Sequence, residues 1–223
     1  MTEARHIGAV VRWLLPLASC VTLAACGGLG VGSEGPPTPN QTRAQATARY
    51  AQLLRSGTPA LQIAVEKDQT ATIALREVIR DGVESFVSSD GVVLKTRRGL
   101  LVGTAGLGAD MAGSDVSQSL ALVARRSSGT AERFHTFLNG ENEAVTRSYV
   151  CVVALRGRRS IQVGTRAGAL TQVATTLVEE DCRSLDQSFT NLYWLSAGSG
   201  EVLQSRQWAG DLTGPLVMRR VIE

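Results

Sequence analysis

The chain has 223 residues, with 23 basic against 20 acidic side chains and 4% aromatic residues. That length fits one main domain with a single core. Near-neutral charge with no basic stripe interleaved with aromatics excludes nucleic acid as the expected partner.

The first segment reads as a leader. Arg5 and Arg12 precede an apolar run that includes Trp13, Leu14, Leu15, Leu17, Val21 and Leu23. The run is about thirteen residues long, short for a helix that must cross roughly 30 Å of hydrocarbon. A charged start, a short apolar core and small residues before a cleavage point describe a secretory signal over residues 1–25. Leu23-Ala24-Ala25-Cys26 resembles the bacterial lipobox, which implies cleavage before Cys26 and a diacylglycerol on its sulfur. An ordinary signal peptide with an incidental Cys26 is the rival reading. Loss of Arg5, Arg12 and Glu3 with the leader leaves 21 basic and 19 acidic residues. Gly27 follows the lipid site where an aspartate tends to retain lipoproteins at the inner membrane, so the expected destination is the periplasmic face of the outer membrane, with the inner membrane as the alternative.

Residues 26–41 are dense in glycine and proline and read as a tether between anchor and domain. Residues 42–223 are expected to form one β-rich periplasmic domain. It opens with a short helix from Thr42, its N-cap, to Arg55, stopped by Gly57 and Pro59.

Alternation then takes over. Leu61, Ile63 and Val65 follow the period of a half-buried strand, and Ala71, Ile73 and Leu75 repeat it. Arg80-Asp81-Gly82 turns the chain into a strand over residues 83–87, and Asp90-Gly91 is a hairpin signal. Residues 92–102 read as one long strand. In the second half, strands are predicted over 133–138, 144–155, 160–164, 170–178, 191–195, 201–208 and 216–222. Asn139-Gly140 and Ala197-Gly198-Ser199-Gly200 supply turns. About ten strands after one helix predict an all-β antiparallel domain, barrel-like or a sandwich.

Cysteines sort by position. Cys20 leaves with the leader and Cys26 takes lipid, so Cys151 and Cys182 remain in an oxidising compartment, where a disulfide is favoured over two free thiols. Two cysteines and the single mature histidine, His135, fall short of a zinc site, and no metal or other cofactor is expected.

Catalytic patterns are sparse. His135 in Phe134-His135-Thr136-Phe137 is expected on the solvent face of a strand, and no Gly-x-Ser-x-Gly elbow occurs. The glycines from Gly103 to Gly108 lack the Gly-Lys-Ser/Thr ending of a phosphate loop and read as a strand-to-loop crossing. Asp110 with Asp115, or Glu179-Glu180-Asp181, are the carboxylates to nominate for glycoside hydrolysis, set against solvated acids at turns and strand ends. Trp194 and Trp208 are nominated as sugar or partner contacts. Core packing has first claim on them in a chain with seven Phe and Tyr residues.

The blocks Arg98-Gly99-Leu100-Leu101-Val102-Gly103-Thr104-Ala105-Gly106-Leu107-Gly108-Ala109-Asp110, Tyr149-x-Cys151, Glu180-Asp181-Cys182, Phe189-Thr190-Asn191-Leu192-Tyr193-Trp194 and Ser205-Arg206-Gln207-Trp208 occur in that order. Together they resemble the YjbF/GfcB lipoproteins of group 4 capsule and exopolysaccharide operons, over about residues 61–223. The resemblance implies a β-barrel-like periplasmic lipoprotein attached to the outer membrane. It implies a bridge between Cys151 and Cys182, and no catalytic residues. The expected role is a non-enzymatic accessory factor in exopolysaccharide or capsule production. Its expected partners are the membrane through its lipid, export or assembly proteins such as an outer-membrane barrel, or the polysaccharide itself. The alternatives are a polysaccharide-modifying hydrolase or lyase, and a general envelope assembly lipoprotein.

Overall fold

The computed structural model describes residues 39–138 and 143–223. The predicted leader, the predicted lipid site Cys26 and the turn predicted at Asn139-Gly140 lie outside the described residues. Helix α1 spans Pro39–Arg55. It begins three residues before Thr42, at a proline whose fixed φ and missing N–H suit the first helical position. Twelve strands follow: β1 Ala60–Val65, β2 Thr70–Arg80, β3 Val83–Ser88, β4 Val93–Arg97, β5 Leu100–Ala105 and β6 Met111–Asp115. After helix α2, Ser117–Arg125, come β7 Gly129–Leu138, β8 Ala144–Gly164, β9 Leu170–Arg183, β10 Ser188–Ser196, β11 Val202–Trp208 and β12 Pro215–Arg220.

All twelve strands form one antiparallel, nearly closed barrel-like sheet in the order β5-β4-β3-β2-β1-β12-β11-β10-β9-β8-β7-β6. Strand alternation creates the interior. On β10, Phe189, Asn191, Tyr193 and Leu195 are buried, and the residues between them are part exposed. Leu61, Phe86, Leu94, Met111 and Leu216 fill one part of the core, and Leu100, Val116, Val123, Val178 and Leu195 fill another.

Three expectations are corrected. Residues 92–102 are two strands, because Arg98 (φ 49°) and Gly99 (φ 88°) form a two-residue hairpin turn. Gly99 is obligatory there, since a Cβ would lie 2.6 Å from Val202 Cβ. Residues 144–164 form one strand, with Arg156 as the extra residue of a bulge beside Gly157. Helix α2 was not foreseen. It begins just after Asp115, whose carboxylate accepts the Ser117 N–H at 2.9 Å, and ends at Arg126 in the left-handed region.

The two sheet edges, β5 and β6, face each other without a shared ladder. Thr104 Oγ1 accepts the Met111 N–H at 2.9 Å and donates to Asp110 Oδ1 at 3.1 Å. Gly106 and Leu107 donate their N–H groups to the two oxygens of the same carboxylate at 2.8 and 3.1 Å. The Thr-x-Gly-Leu-x-x-Asp stretch is therefore a carboxylate clamp on the β5–β6 loop.

Candidate functional site

The nominated acids and the histidine disperse. Asp110 holds its loop, and Asp115 stands at the start of α2, its pKa lowered first by the Ser117 N–H and then by the Ser117 hydroxyl. Glu179 faces Arg156 at 2.6 Å and Asp181 faces Arg183 at 3.2 Å, both on the outside. Glu180, by strand alternation, points inward and is fully buried.

His135 is also fully buried, contrary to the solvent-facing expectation. The reason is register: Ala131, Arg133 and His135 share the inward face of β7. Arg133 Nε donates to His135 Nε2 at 2.8 Å, so the imidazole is neutral with its proton on Nδ1. Burial, with the Arg133 charge beside it, pushes the His135 pKa down to about 2.

These groups belong to a network that the sequence reading missed. Glu180 Oε2 accepts from Arg133 Nη1 at 2.7 Å, Asn191 Nδ2 at 2.8 Å and Tyr193 Oη at 2.8 Å. Burial would raise the Glu180 pKa, but the Arg133 charge and these hydrogen bonds outweigh it and hold the carboxyl below its usual range. Burial and then the Glu180 charge push the Tyr193 hydroxyl well above its ordinary pKa. Arg133 Nη2 reaches the Leu101 carbonyl at 3.4 Å. On β11, Gln207 accepts the Leu101 N–H at 2.8 Å and donates to the Gly99 carbonyl at 2.7 Å.

The network therefore braces β5 from inside the barrel with side chains of β7 and β11. All six side chains are fully buried. A hydrolytic acid or base must reach substrate or water, and these groups reach backbone and one another instead. Alternation in Glu132-Arg133-Phe134-His135 carried the signal for two polar residues on one face.

The cysteines behave as expected. Cys151 and Cys182 are register partners on β8 and β9 and form a disulfide. Glu180 lies beside them, and these three are the cluster of close ligand-type atoms found among the described residues. With both sulfurs in the bridge, one carboxylate remains, which does not make a metal site. Trp208 is half-buried and stacks on Phe189, with ring centroids 5.9 Å apart, at the edge of the disulfide cluster. Trp194 pairs with Leu177 and Gln204 on the outer side of β10. Trp208 lies four residues beyond Gln204, about 13 Å along the strand, so the two indoles form no common platform.

Beyond the interior, three surface arginines meet at one barrel end. Arg76, Arg98 and Arg220 line a cleft of about 370 Å³ with Glu84 and Glu201.

The family model described as group 4 capsule polysaccharide lipoprotein gfcB, YjbF, matches residues 36–221. The chain belongs to the YjbF family. The blocks that carry this likeness converge in space: Gly99, Leu101, Glu180, Asn191, Tyr193 and Gln207 all belong to the buried brace. Among solved structures, the chain is similar to the lipoprotein YmcC from Escherichia coli K12, at 16% identity and a TM-score of 0.65. That match covers 85% of this chain and 98% of the other, and shows a shared fold. An exported protein with a YmcC-like fold from Bacteroides fragilis NCTC 9343 matches at 6% identity over 74% of this chain and 93% of the other, with a TM-score of 0.29. No curated protein sequence matches the chain.

Proposed function

We propose that this YjbF-family protein is a non-enzymatic accessory lipoprotein in exopolysaccharide or capsule production. Lipid on Cys26 holds it at the periplasmic face of the outer membrane, where its outer surface meets an export component or the polysaccharide. One observation carries the reading: the Arg133–Glu180 cluster is fully buried and turned to the barrel's own backbone and side chains. Enzymes place such groups where substrate can reach them. Support for the glycan context comes from the family's description as capsule polysaccharide lipoproteins.

The test has two arms. Deleting the gene is expected to lower secreted polysaccharide, with recovery on complementation by the wild-type chain. Incubating the purified protein with that polysaccharide is expected to leave its length distribution unchanged. Shortened polymer would turn the assignment to a hydrolase or lyase. Unchanged secretion in the deletion strain, under conditions where the protein is made, would remove the glycan assignment.

A further inference from the structure

The barrel end that carries the β2–β3, β4–β5 and β10–β11 turns holds the arginine-lined cleft. Its volume of about 370 Å³ falls within the roughly 300–1,000 Å³ of small-molecule sites. Two of its arginines are fixed by acids. Arg76 Nη1 lies 3.1 Å from Glu84, while Arg220 bridges Glu84 and Glu201, the latter at 3.1 Å. The third, Arg98, is exposed at the tip of its hairpin, and among the described residues no acid is paired with it.

The backbone holds Arg98 at the cleft. The Gly99 turn packs so closely on Val202 that no Cβ fits between them, which fixes the hairpin against the start of β11. A fourth guanidinium stands behind Gly200. Arg126 Nη2 donates to the Ser196 carbonyl at 2.7 Å and would lie 3.1 Å from a Cβ on Gly200, which lines the cleft. Its Nε is buried without a partner. Three arginines on the walls and one behind face two carboxylates, so the cleft carries net positive charge.

We infer that this cleft binds an acidic sugar, with Arg98 receiving the sugar carboxylate and Glu84 and Glu201 accepting its hydroxyls. A guanidinium offers two parallel N–H donors that match a carboxylate. The paired acids select against a bare polyanion, because a dianionic phosphate meets their repulsion. A sugar monoanion brings a single charge and several hydroxyl donors for the same oxygens. The biological source of such a ligand rests on the capsule reading above; the chemistry of the cleft does not.

The experiment uses the full mature protein in detergent and calorimetric titration with a glucuronate oligosaccharide, its carboxyl-reduced counterpart and inorganic phosphate. Arg98→Asn is the test variant, since asparagine tolerates the left-handed backbone and removes the charge. A matching melting curve verifies its fold. Binding of the acidic oligosaccharide is expected to weaken about tenfold or more in the variant and on carboxyl reduction, as loss of a charged hydrogen bond implies. Phosphate is expected to compete poorly.

Equal binding of acidic and reduced oligosaccharides, no binding of either, or no effect of Arg98→Asn overturns the inference. So does Arg98-dependent association with phosphatidylglycerol vesicles in place of oligosaccharide binding, which assigns the cleft to lipid headgroups. Failure here differs from failure of the accessory role: a cleft that binds no acidic sugar is compatible with a deletion strain that secretes less polymer.

Discussion

Gln207 binds Leu101 across the barrel interior as though its side-chain amide were a neighbouring strand, accepting the Leu101 N–H at 2.8 Å. Its Nε2 donates to the Gly99 carbonyl and to Ser205 Oγ at 2.7 and 2.9 Å. A sheet edge leaves backbone donors and acceptors without partners, and burying them unpaired is costly. Gln207 removes that cost at the seam beside β5.

Gln207→Leu keeps the volume and removes all three bonds, two of them to backbone. Each of the two stranded backbone groups costs about 1–3 kcal/mol, so a loss of about 2–6 kcal/mol in unfolding free energy is expected. Urea titration measures the loss. Hydrogen exchange at the Leu101 amide should accelerate as well, and protection equal to wild type would contradict the brace.

The Arg133–Glu180 pair is expected to show strong coupling. Removing one partner of a buried ion pair leaves an uncompensated charge, at about 3–5 kcal/mol. Replacing both with apolar residues of similar volume is often close to neutral. Arg133→Met and Glu180→Leu should each destabilise strongly, while the two combined should cost less than either alone. A double-mutant cycle by chemical denaturation checks this, and additive effects would show the pair to be uncoupled. Single variants should lower polysaccharide secretion only as far as they lower protein abundance.

His135 gives the stability a pH dependence of defined sign. Its folded pKa of about 2 lies below its ordinary value of 6.5. As pH falls below 6.5, the unfolded chain takes up a proton that the folded chain refuses until about pH 2, so stability falls. The slope approaches about 1.4 kcal/mol per pH unit. Glu180, with its pKa lowered from 4.5, adds to the loss in the same direction below about pH 4.5. Urea midpoints measured between about pH 5 and about pH 7 should slope steeply for wild type and less for His135→Phe. Equal slopes would place the titration elsewhere.

Much of the fold was legible, and the gaps have physical causes. Asp81 and Gly82 adopt φ of 51° and 75°, the left-handed pair that an Asp-Gly hairpin demands. Arg98-Gly99 makes a like turn, but an arginine at the first position hid it inside an apolar run, with Gly99 as the remaining sign. Helix α2 is nine residues, seven of them small or apolar, and is too short for a clear helical period. The brace was illegible as a network because its members come from β5, β7, β9, β10 and β11, and only tertiary pairing joins them. Alternation put Arg133 and His135 on one face of β7, but the strand alone did not show that this face is the inner one, where Arg133 Nε donates to His135 Nε2.

The disulfide should add stability without serving chemistry. Cys151 and Cys182 close a loop of 31 residues in sequence separation, which the chain-entropy model values at roughly 3–4 kcal/mol. Replacing both with alanine should lower the thermal midpoint while leaving polysaccharide secretion intact wherever protein abundance is kept. Lost secretion at normal abundance would give the bridge a role beyond stability.

The lipid anchor is tested at Cys26. Leu23-Ala24-Ala25-Cys26 closes an apolar run that follows two arginines, and the family is described as lipoproteins. A single acyl chain binds membranes only marginally, whereas several chains hold a protein firmly; a fully acylated Cys26 therefore commits the protein to the bilayer. Cys26→Ser removes the sulfur on which the proposed diacylglycerol would sit. It should abolish labelling by a fatty-acid analogue and move the protein from the membrane to the soluble periplasmic fraction. If secretion depends on the protein acting at the outer membrane, the released form should complement the deletion poorly despite normal abundance. Full complementation would show that the folded domain works without its anchor, and unchanged labelling would refute acylation at this cysteine.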